Sequence, residues 1–317
     1  MGRKRHDARR GELVAIVDLG SNAVRFLLAK VKPEKGYRVL VEERVRTRLG
    51  DGAPGTLPRA AIDDTLRAVH RFFAEHRTVG RGPRVVAVAT SAVRDARNRE
   101  RLLGPLRYRE GIEVQVLSAH DEALLGAQAA LRSLDFDHAL VADLGGASLQ
   151  LSRVRDRRVV NAVSLPLGAV RATRRYLRHD PPRPRELRAL RQAVREQLME
   201  ALPPAERGDV MVGLGGTVRT LAAIHRRVNR DDRKDRHGLH LSQSDVTAVR
   251  ERLERASPRK RRTLRGLKSE RADIILAGAI VIEELMIFGG YLTLIVCTRG
   301  VRDGILLHET FNGSGLT

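Results

Sequence analysis

The chain has 317 residues, 42% of them apolar, and its length points to about two domains in a globular protein. Fifty-nine basic against 38 acidic residues give a formal net charge of +21, a balance that draws polyanions, whether nucleic acid, anionic lipid or polyphosphate. Aromatics at 3% and no Trp leave few stacking platforms and argue against a nucleic-acid binder. The lone Cys297 excludes a disulfide framework and Cys/His zinc spacing, which points to the cytoplasm.

Residues 1–11 are basic, lack the apolar stretch of a signal peptide and read as frayed. The apolar run from Val14 then ends in Asp18-Leu19-Gly20-Ser21-Asn22 and returns as an alternating run to Leu28, the pattern of strand, tight turn and strand. Residues 37–45 predict a third strand, and 48–58 a Gly/Pro-rich loop. A helix over 60–76 carries Ile62, Leu66, Val69 and Phe72 at helical spacing, with a stop at 80–83. Residues 85–89 form a short continuous apolar run, the mark of a central strand. It delivers the chain into Thr90-Ser91-Ala92-Val93-Arg94, where hydroxyls and free N–H groups at a helix start suit an anion. A plain helix cap with a surface Arg is the alternative. After a strand over 112–117, Ser118 and Asp121 fit a helix cap. Glu122 needs no such explanation and lies on the Ser118 face of a helix reaching about residue 132.

A domain boundary near 135–137 precedes a second copy of the opening pattern over 139–151, with Asp143-Leu144-Gly145-Gly146-Ala147-Ser148 placed 125 residues after the first. A carboxylate ending a buried strand is costly unless it faces a cation or donors. The glycine after it lets backbone N–H groups approach an anion. Two such loops suggest two half-sites facing one phosphate. A strand over 158–165 leads to a glycine turn at Gly168 that opens a helix bearing Arg171, and prolines 181, 182 and 184 precede an amphipathic helix to about 202. A strand over 210–213 runs into Gly215-Gly216-Thr217, a glycine-rich loop before a helix that can cradle phosphate. Residues 226–238 form a charged loop, and the basic cluster 257–262 reads as a solvated face or a track for a long polyanion. The apolar region 272–297 is interrupted by Glu283, Glu284 and Gly289-Gly290, so it reads as a buried helix opened at 271–273 and then a strand, with no membrane span. Residues 298–304 turn into a terminal helix.

These motifs, in order from about residue 14 to 306, resemble the exopolyphosphatase/guanosine pentaphosphate phosphatase (Ppx/GppA) family in its short two-domain form. The resemblance is carried by the Asp-x-Gly-Ser-Asn turn at 18–22, Ala-Thr-Ser-Ala-x-Arg at 89–94, Ser-x-x-Asp-Glu-Ala at 118–123 and Ser-Leu-Pro-Leu-Gly-Ala-Val-Arg at 164–171. It implies an α/β fold of duplicated ribonuclease-H-like lobes, of the actin, sugar kinase and heat-shock chaperone type, around a central cleft. The first lobe is expected over 1–134, joined by the C-terminal helix 301–317, and the second over 135–300.

The resemblance further implies Mg²⁺-assisted removal of terminal phosphate from inorganic polyphosphate or guanosine pentaphosphate, and a homodimer. Glu122 takes the place of the glutamate that activates water, and Asp143, joined by Asp18, that of the metal carboxylates. Asn22, Arg25, Arg94, Gly145, Gly146 and Ser148 match positions around the phosphate, to which the loops add Gly20, Ser21, Ser91, Gly215, Gly216 and Thr217. Three residues depart from the family pattern: Ala147 replaces a glycine, Gln150 a glutamate and Leu124 an arginine. The first adds a methyl group where backbone approaches phosphate, and the second removes a charge beside the metal. Competing expectations are a regulator that binds guanosine tetra- and pentaphosphate, and a catalytically weak polyanion-binding protein.

Overall fold

The structure, a computed structural model, describes residues 11–32, 36–76, 82–202, 209–229 and 235–311. The basic N-terminal segment, part of the stop at 80–83, the centre of the charged loop 226–238 and the end of the terminal helix lie outside the described residues.

The chain divides into two compact units. Unit 1 comprises Met1–Leu125 and Val301–Thr317. It runs through β1 (Glu12–Leu19), β2 (Val24–Lys32), β3 (Gly36–Val45), α1 (Arg59–Glu75), β4 (Arg84–Ala89), α2 (Ser91–Arg94), α3 (Glu100–Glu110), β5 (Val114–Val116) and the start of α4 (Ala119–Ser133). The sheet order is β3-β2-β1-β4-β5. β1, β2 and β3 pair antiparallel, as the Gly20–Asn22 turn requires, while β4 and β5 add in parallel. The run Val14 to Val17 is fully buried, which is why it reads as a continuous apolar stretch.

The residues predict no element at α3, where Gly104 and Pro105 interrupt the helical pattern. Leu102, Leu103 and Leu106 nonetheless fix it, packing on the same core as Val69 and Phe72 of α1. Tertiary burial outweighs the local cost of the proline.

Unit 2 spans Gly126–Gly300, so the division falls inside α4 and not in the loop after it. The rest of α4 is followed by β6 (Ala139–Leu144), β7 (Leu149–Arg155), β8 (Arg158–Leu165), α5 (Ala169–Tyr176), α6 (Pro184–Ala201), β9 (Val210–Leu214), α7 (Gly215–Val228), β10 (His240–Ser242), α8 (Gln243–Arg255), α9 (Pro258–Arg262), α10 (Ile275–Gly289) and β11 (Thr293–Val296). Its sheet order is β10-β11-β9-β6-β7-β8. Read from β8, the order β8-β7-β6-β9-β11 repeats that of unit 1 with the same parallel and antiparallel senses, and β10 is added at the edge. This is the duplicated ribonuclease-H-like arrangement.

α10 is buried almost all round, and each fully buried isoleucine on it contributes about 1.5–3 kcal/mol. Its two acids are buried as well and are therefore paired. Glu283 accepts from Arg191 at 2.9 Å and Arg250 at 3.0 Å, and Glu284 accepts from Arg191 and from Arg195 at 2.6 Å. The helix begins at Ile275, after a short 3-10 turn at Ser269–Arg271, so residues 271–273 precede it. Among the described residues no helix is long and apolar enough to cross a membrane.

The basic cluster 257–262 is divided in its roles. Arg261 is 2% exposed and ties loops together, donating to Asp180 at 3.0 Å and to the Leu253 and Ala256 carbonyls. It is neither a solvated face nor part of a polyanion track. Arg259, Lys260 and Arg262 are exposed.

The terminal helix α11 (Val301–Phe311) returns to unit 1. Ile305 and Leu306 pack on Val14, Ile16 and Leu27. Arg84 pairs with Glu309, and the Tyr37 hydroxyl donates to Asp303 at 3.1 Å.

Candidate active site

In unit 1 the β1–β2 turn presents the first loop. Asp18 and Arg25 are cross-strand partners; the guanidinium donates to Asp18 Oδ2 at 3.0 Å, and the carboxylate is 3% exposed. Its buried charge is thus matched across the hairpin. The Ser21 and Ser91 hydroxyls meet at 3.3 Å, which brings the turn after β4 against the loop at 20–22. Asn22 is also buried, and its Nδ2 has no hydrogen-bond partner among the described residues. The loop 47–57 supports this turn from behind: Gly50 N–H donates to the Ser21 carbonyl at 2.7 Å, and Arg48 N–H to that of Asn22 at 3.3 Å.

Glu122 lies in the first turn of α4, after the Ser118 cap, whose hydroxyl accepts from Asp121 N–H at 3.1 Å. It is 8% exposed. Arg94 Nη1 donates both to Glu122 Oε2 at 3.0 Å and to the Leu117 carbonyl at 2.9 Å. One arm of the arginine expected around the phosphate therefore orients the expected base.

In unit 2 the β6–β7 turn is the counterpart. Asp143 faces Gln150 across the hairpin in the register in which Asp18 faces Arg25. The neutral amide donates to the Ser148 hydroxyl at 2.6 Å and reaches Ser164 at 3.4 Å. The Asp143 carboxylate rests against two residues without side chains. A Cβ on Gly215, whose φ is +91°, would stand 2.9 Å from Oδ1, and one on Gly126 would stand 3.5 Å from Oδ2.

Gly145 N–H closes the turn on the Ser148 carbonyl at 3.0 Å. The start of α5 then grips the loop: Ala169 N–H donates to the Gly145 carbonyl at 3.0 Å, and Val170 and Arg171 N–H donate to that of Gly146 at 2.8 and 3.1 Å. Gly168 makes this possible, since a Cβ there would collide with the Ala147 and Ser148 backbone. The sequence marks Gly168 only as a turn; its role as a buttress depends on a fold-back of some 20 residues that no local pattern announces.

The third expected anion loop is built differently. Arg271 lies over Gly216, occupying the space a Cβ would take, and Thr217 is 1% exposed and packed on Gly278 of α10. Among the described residues, the three-ligand group close enough to hold a metal is Glu43, Glu75 and His76. Its carboxylates pair with Arg71 at 3.1 and 3.6 Å, and it includes neither Asp18 nor Asp143. Chemically, unit 1 offers neutral donors, a matched Asp–Arg pair and an oriented carboxylate, and unit 2 offers a carboxylate in a glycine socket.

The model of the Ppx/GppA phosphatase family matches residues 27–312. Exopolyphosphatase 2 of Mycobacterium tuberculosis is 34% identical over 314 residues, covering 93% of this chain and 97% of that protein. Exopolyphosphatase 1 of Mycobacterium leprae is 29% identical over 303 residues, covering 93% and 89%. Among solved structures, the Ppx/GppA family member of Aquifex aeolicus aligns with a TM-score of 0.79 at 28% identity, covering 96% of this chain and 99% of that one. An exopolyphosphatase-like protein aligns with a TM-score of 0.84 at 27% identity, covering 94% and 97%. With the same strand order folded twice and the motifs of both turns in place, the chain belongs to the Ppx/GppA phosphatase family.

Proposed function

We propose that the protein is an exopolyphosphatase that, with Mg²⁺, hydrolyses the terminal phosphoanhydride bond of inorganic polyphosphate and releases orthophosphate. The observation that carries this reading is the chemical asymmetry of two hairpins built in one register. Arg25 neutralises Asp18, and beside it Ser21 and Asn22 of the turn and Ser91 after β4 form a donor set for an anion. Asp143 stands opposite the uncharged Gln150 in that register, with Gly215 and Gly126 against its carboxylate, and the family resemblance makes it the metal carboxylate. Phosphoryl transfer asks for both: donors aimed at non-bridging oxygens and a neutralising positive charge. The relatives named as exopolyphosphatases support polyphosphate as the substrate, and a net charge of +21 suits a long polyanion.

Magnesium is held through one or two carboxylates, waters and substrate oxygens, not in a protein cage. The Asp143 carboxylate would hold such an ion, which would supply charge neutralisation on the phosphoryl oxygens. Glu122, aimed by Arg94, takes a proton from the attacking water; the water oxygen bonds to the terminal phosphorus, and the anhydride bond to the shortened chain breaks. Ser21, Asn22 and Ser91 orient the oxygens.

The test is orthophosphate release from long-chain polyphosphate with Mg²⁺, for the wild type and Glu122→Gln. The expected loss is about 10²–10⁴-fold, the usual worth of a general base; equal rates reject the assignment of Glu122. Gln150 and Ala147 favour a second reading, a polyanion binder of low turnover. It predicts tight, salt-sensitive binding with negligible release.

A further inference from the structure

The pairing of β2 with β3 ends with Val24 opposite Val45, and the Arg48 N–H to Asn22 carbonyl bond extends it past the strand ends. Thr47 is the residue that precedes the donor of this bond. Both residues are buried, Asn22 at 9% and Thr47 at 3% exposure. Among the described residues, neither Asn22 Nδ2 nor Thr47 Oγ1 has a hydrogen-bond partner. Buried polar groups are nearly always paired, so two orphans on segments joined by this backbone bond call for an explanation beyond stability.

The backbone beside them is strained. Arg48, at φ 58° and ψ 42°, occupies the left-handed region that residues with side chains rarely adopt. Such a conformation persists only where its surroundings over-determine it, and it recurs at ligand-binding segments. The surroundings here are specific. Leu49 is fully buried, Gly50 N–H holds the Ser21 carbonyl, and Arg48 Nη1 holds Asp51 at 3.0 Å. The Asn98 amide clasps both N–H and C=O of Leu57 at 2.9 Å. The loop 47–57 is fastened at both ends, and the orphan hydroxyl sits at one of them.

We propose that the Thr47 hydroxyl and the Asn22 amide form a neutral two-donor clamp on one phosphoryl group of the substrate, making Thr47 a substrate-binding residue. The inference rests on residues 20–22 being the phosphate loop. The donors define the ligand: an N–H and an O–H buried without acceptors are completed by an acceptor-rich group such as phosphoryl oxygens, whereas a cation would meet the amide hydrogens and be repelled. Being uncharged, the clamp orients a phosphoryl group without competing with the cation for its charge.

The experiment is calorimetric titration of the wild type, Thr47→Val and Thr47→Ser with methylenediphosphonate, a non-hydrolysable stand-in for two linked phosphoryl groups, at fixed Mg²⁺. Melting temperatures are measured without ligand. Thr47→Val should bind about tenfold or more weakly, the worth of a hydrogen bond to a charged group, while Thr47→Ser keeps most of the affinity. The ligand-free melting temperature of Thr47→Val should not fall, because an unpaired buried hydroxyl has been removed. Equal dissociation constants for wild type and Thr47→Val, or no binding by the wild type, overturn the proposal. If the wild type releases no orthophosphate from polyphosphate while Thr47→Val still binds the analogue tenfold more weakly, hydrolysis is refuted and the clamp stands.

Discussion

Replacing Gly168 with alanine adds one methyl group at the point where the chain before α5 crosses the second loop. The backbone there, at φ −62° and ψ 151°, is open to any residue, so the substitution carries no dihedral strain. The obstacle is contact. The new Cβ would fall about 1 Å inside ordinary contact distance of the Ala147 and Ser148 backbone. Backbone does not swing aside as a long side chain does. The start of α5 must lift by a comparable amount, and it is bonded to the Gly145 and Gly146 carbonyls, so the loop moves with it. Overpacking of this kind costs about 1–3 kcal/mol, which lowers the melting temperature by roughly 2–12 °C for a unit of this size. A displacement near 1 Å in groups that orient the substrate costs about 10²-fold in rate. Phosphate release and differential scanning fluorimetry on Gly168→Ala measure both. A variant within twofold of wild-type kcat/KM refutes the role of Gly168 in holding that loop.

Two further substitutions probe charge. Gln150→Glu sets a second carboxylate opposite Asp143 at a position 2% exposed; the Mg²⁺ concentration for half-maximal activity should fall about tenfold, while the melting temperature in chelator drops because the added charge is buried without a cation. An unchanged Mg²⁺ requirement together with an unchanged melting temperature in chelator counts against a cation at Asp143. Glu186 accepts from His179 at 2.9 Å and from Arg183 and Arg178 N–H at 2.8 and 3.0 Å, and these bonds hold its carboxyl down to about 2. The folded state releases the proton more readily than the unfolded one, so the contribution is complete above the ordinary value of about 4.3 and is lost as pH falls from there through 2. The melting-temperature gap between wild type and Glu186→Gln should be widest near neutrality and shrink below pH of about 4; an equal gap at both ends contradicts the assigned bonds.

Much of the fold is legible in the residues because the two hairpins announce themselves through apolar runs that end in Asp-Leu-Gly. The repeated Asp-Leu-Gly also carries the register, since each aspartate meets the residue seven positions on. What the sequence leaves hidden depends on contacts distant along the chain. The basic cluster at 257–262 gives no sign that Arg261 is a buried tie while its neighbours are exposed, because that depends on Asp180 and on carbonyls of α8 and the residue after it. Arg94 reads as an anion contact, and only the fold brings Glu122 to it. Thr217, within a glycine-rich stretch, reads as a donor, and its packing on Gly278 of α10 is visible only in the fold. Thr47 carries no motif at all; the hydroxyl stands out only once its burial, and the lack of a partner among the described residues, are known.

The return of α11 to the first sheet bears on how the protein is made. Val14, Ile16 and Leu27 emerge from the ribosome early, yet Ile305 and Leu306, which cover them, are synthesised only after the whole of the second unit. Throughout that interval a nascent chain holds a greasy, uncovered sheet surface, which makes the half-finished protein a natural client for chaperones that shield such surfaces.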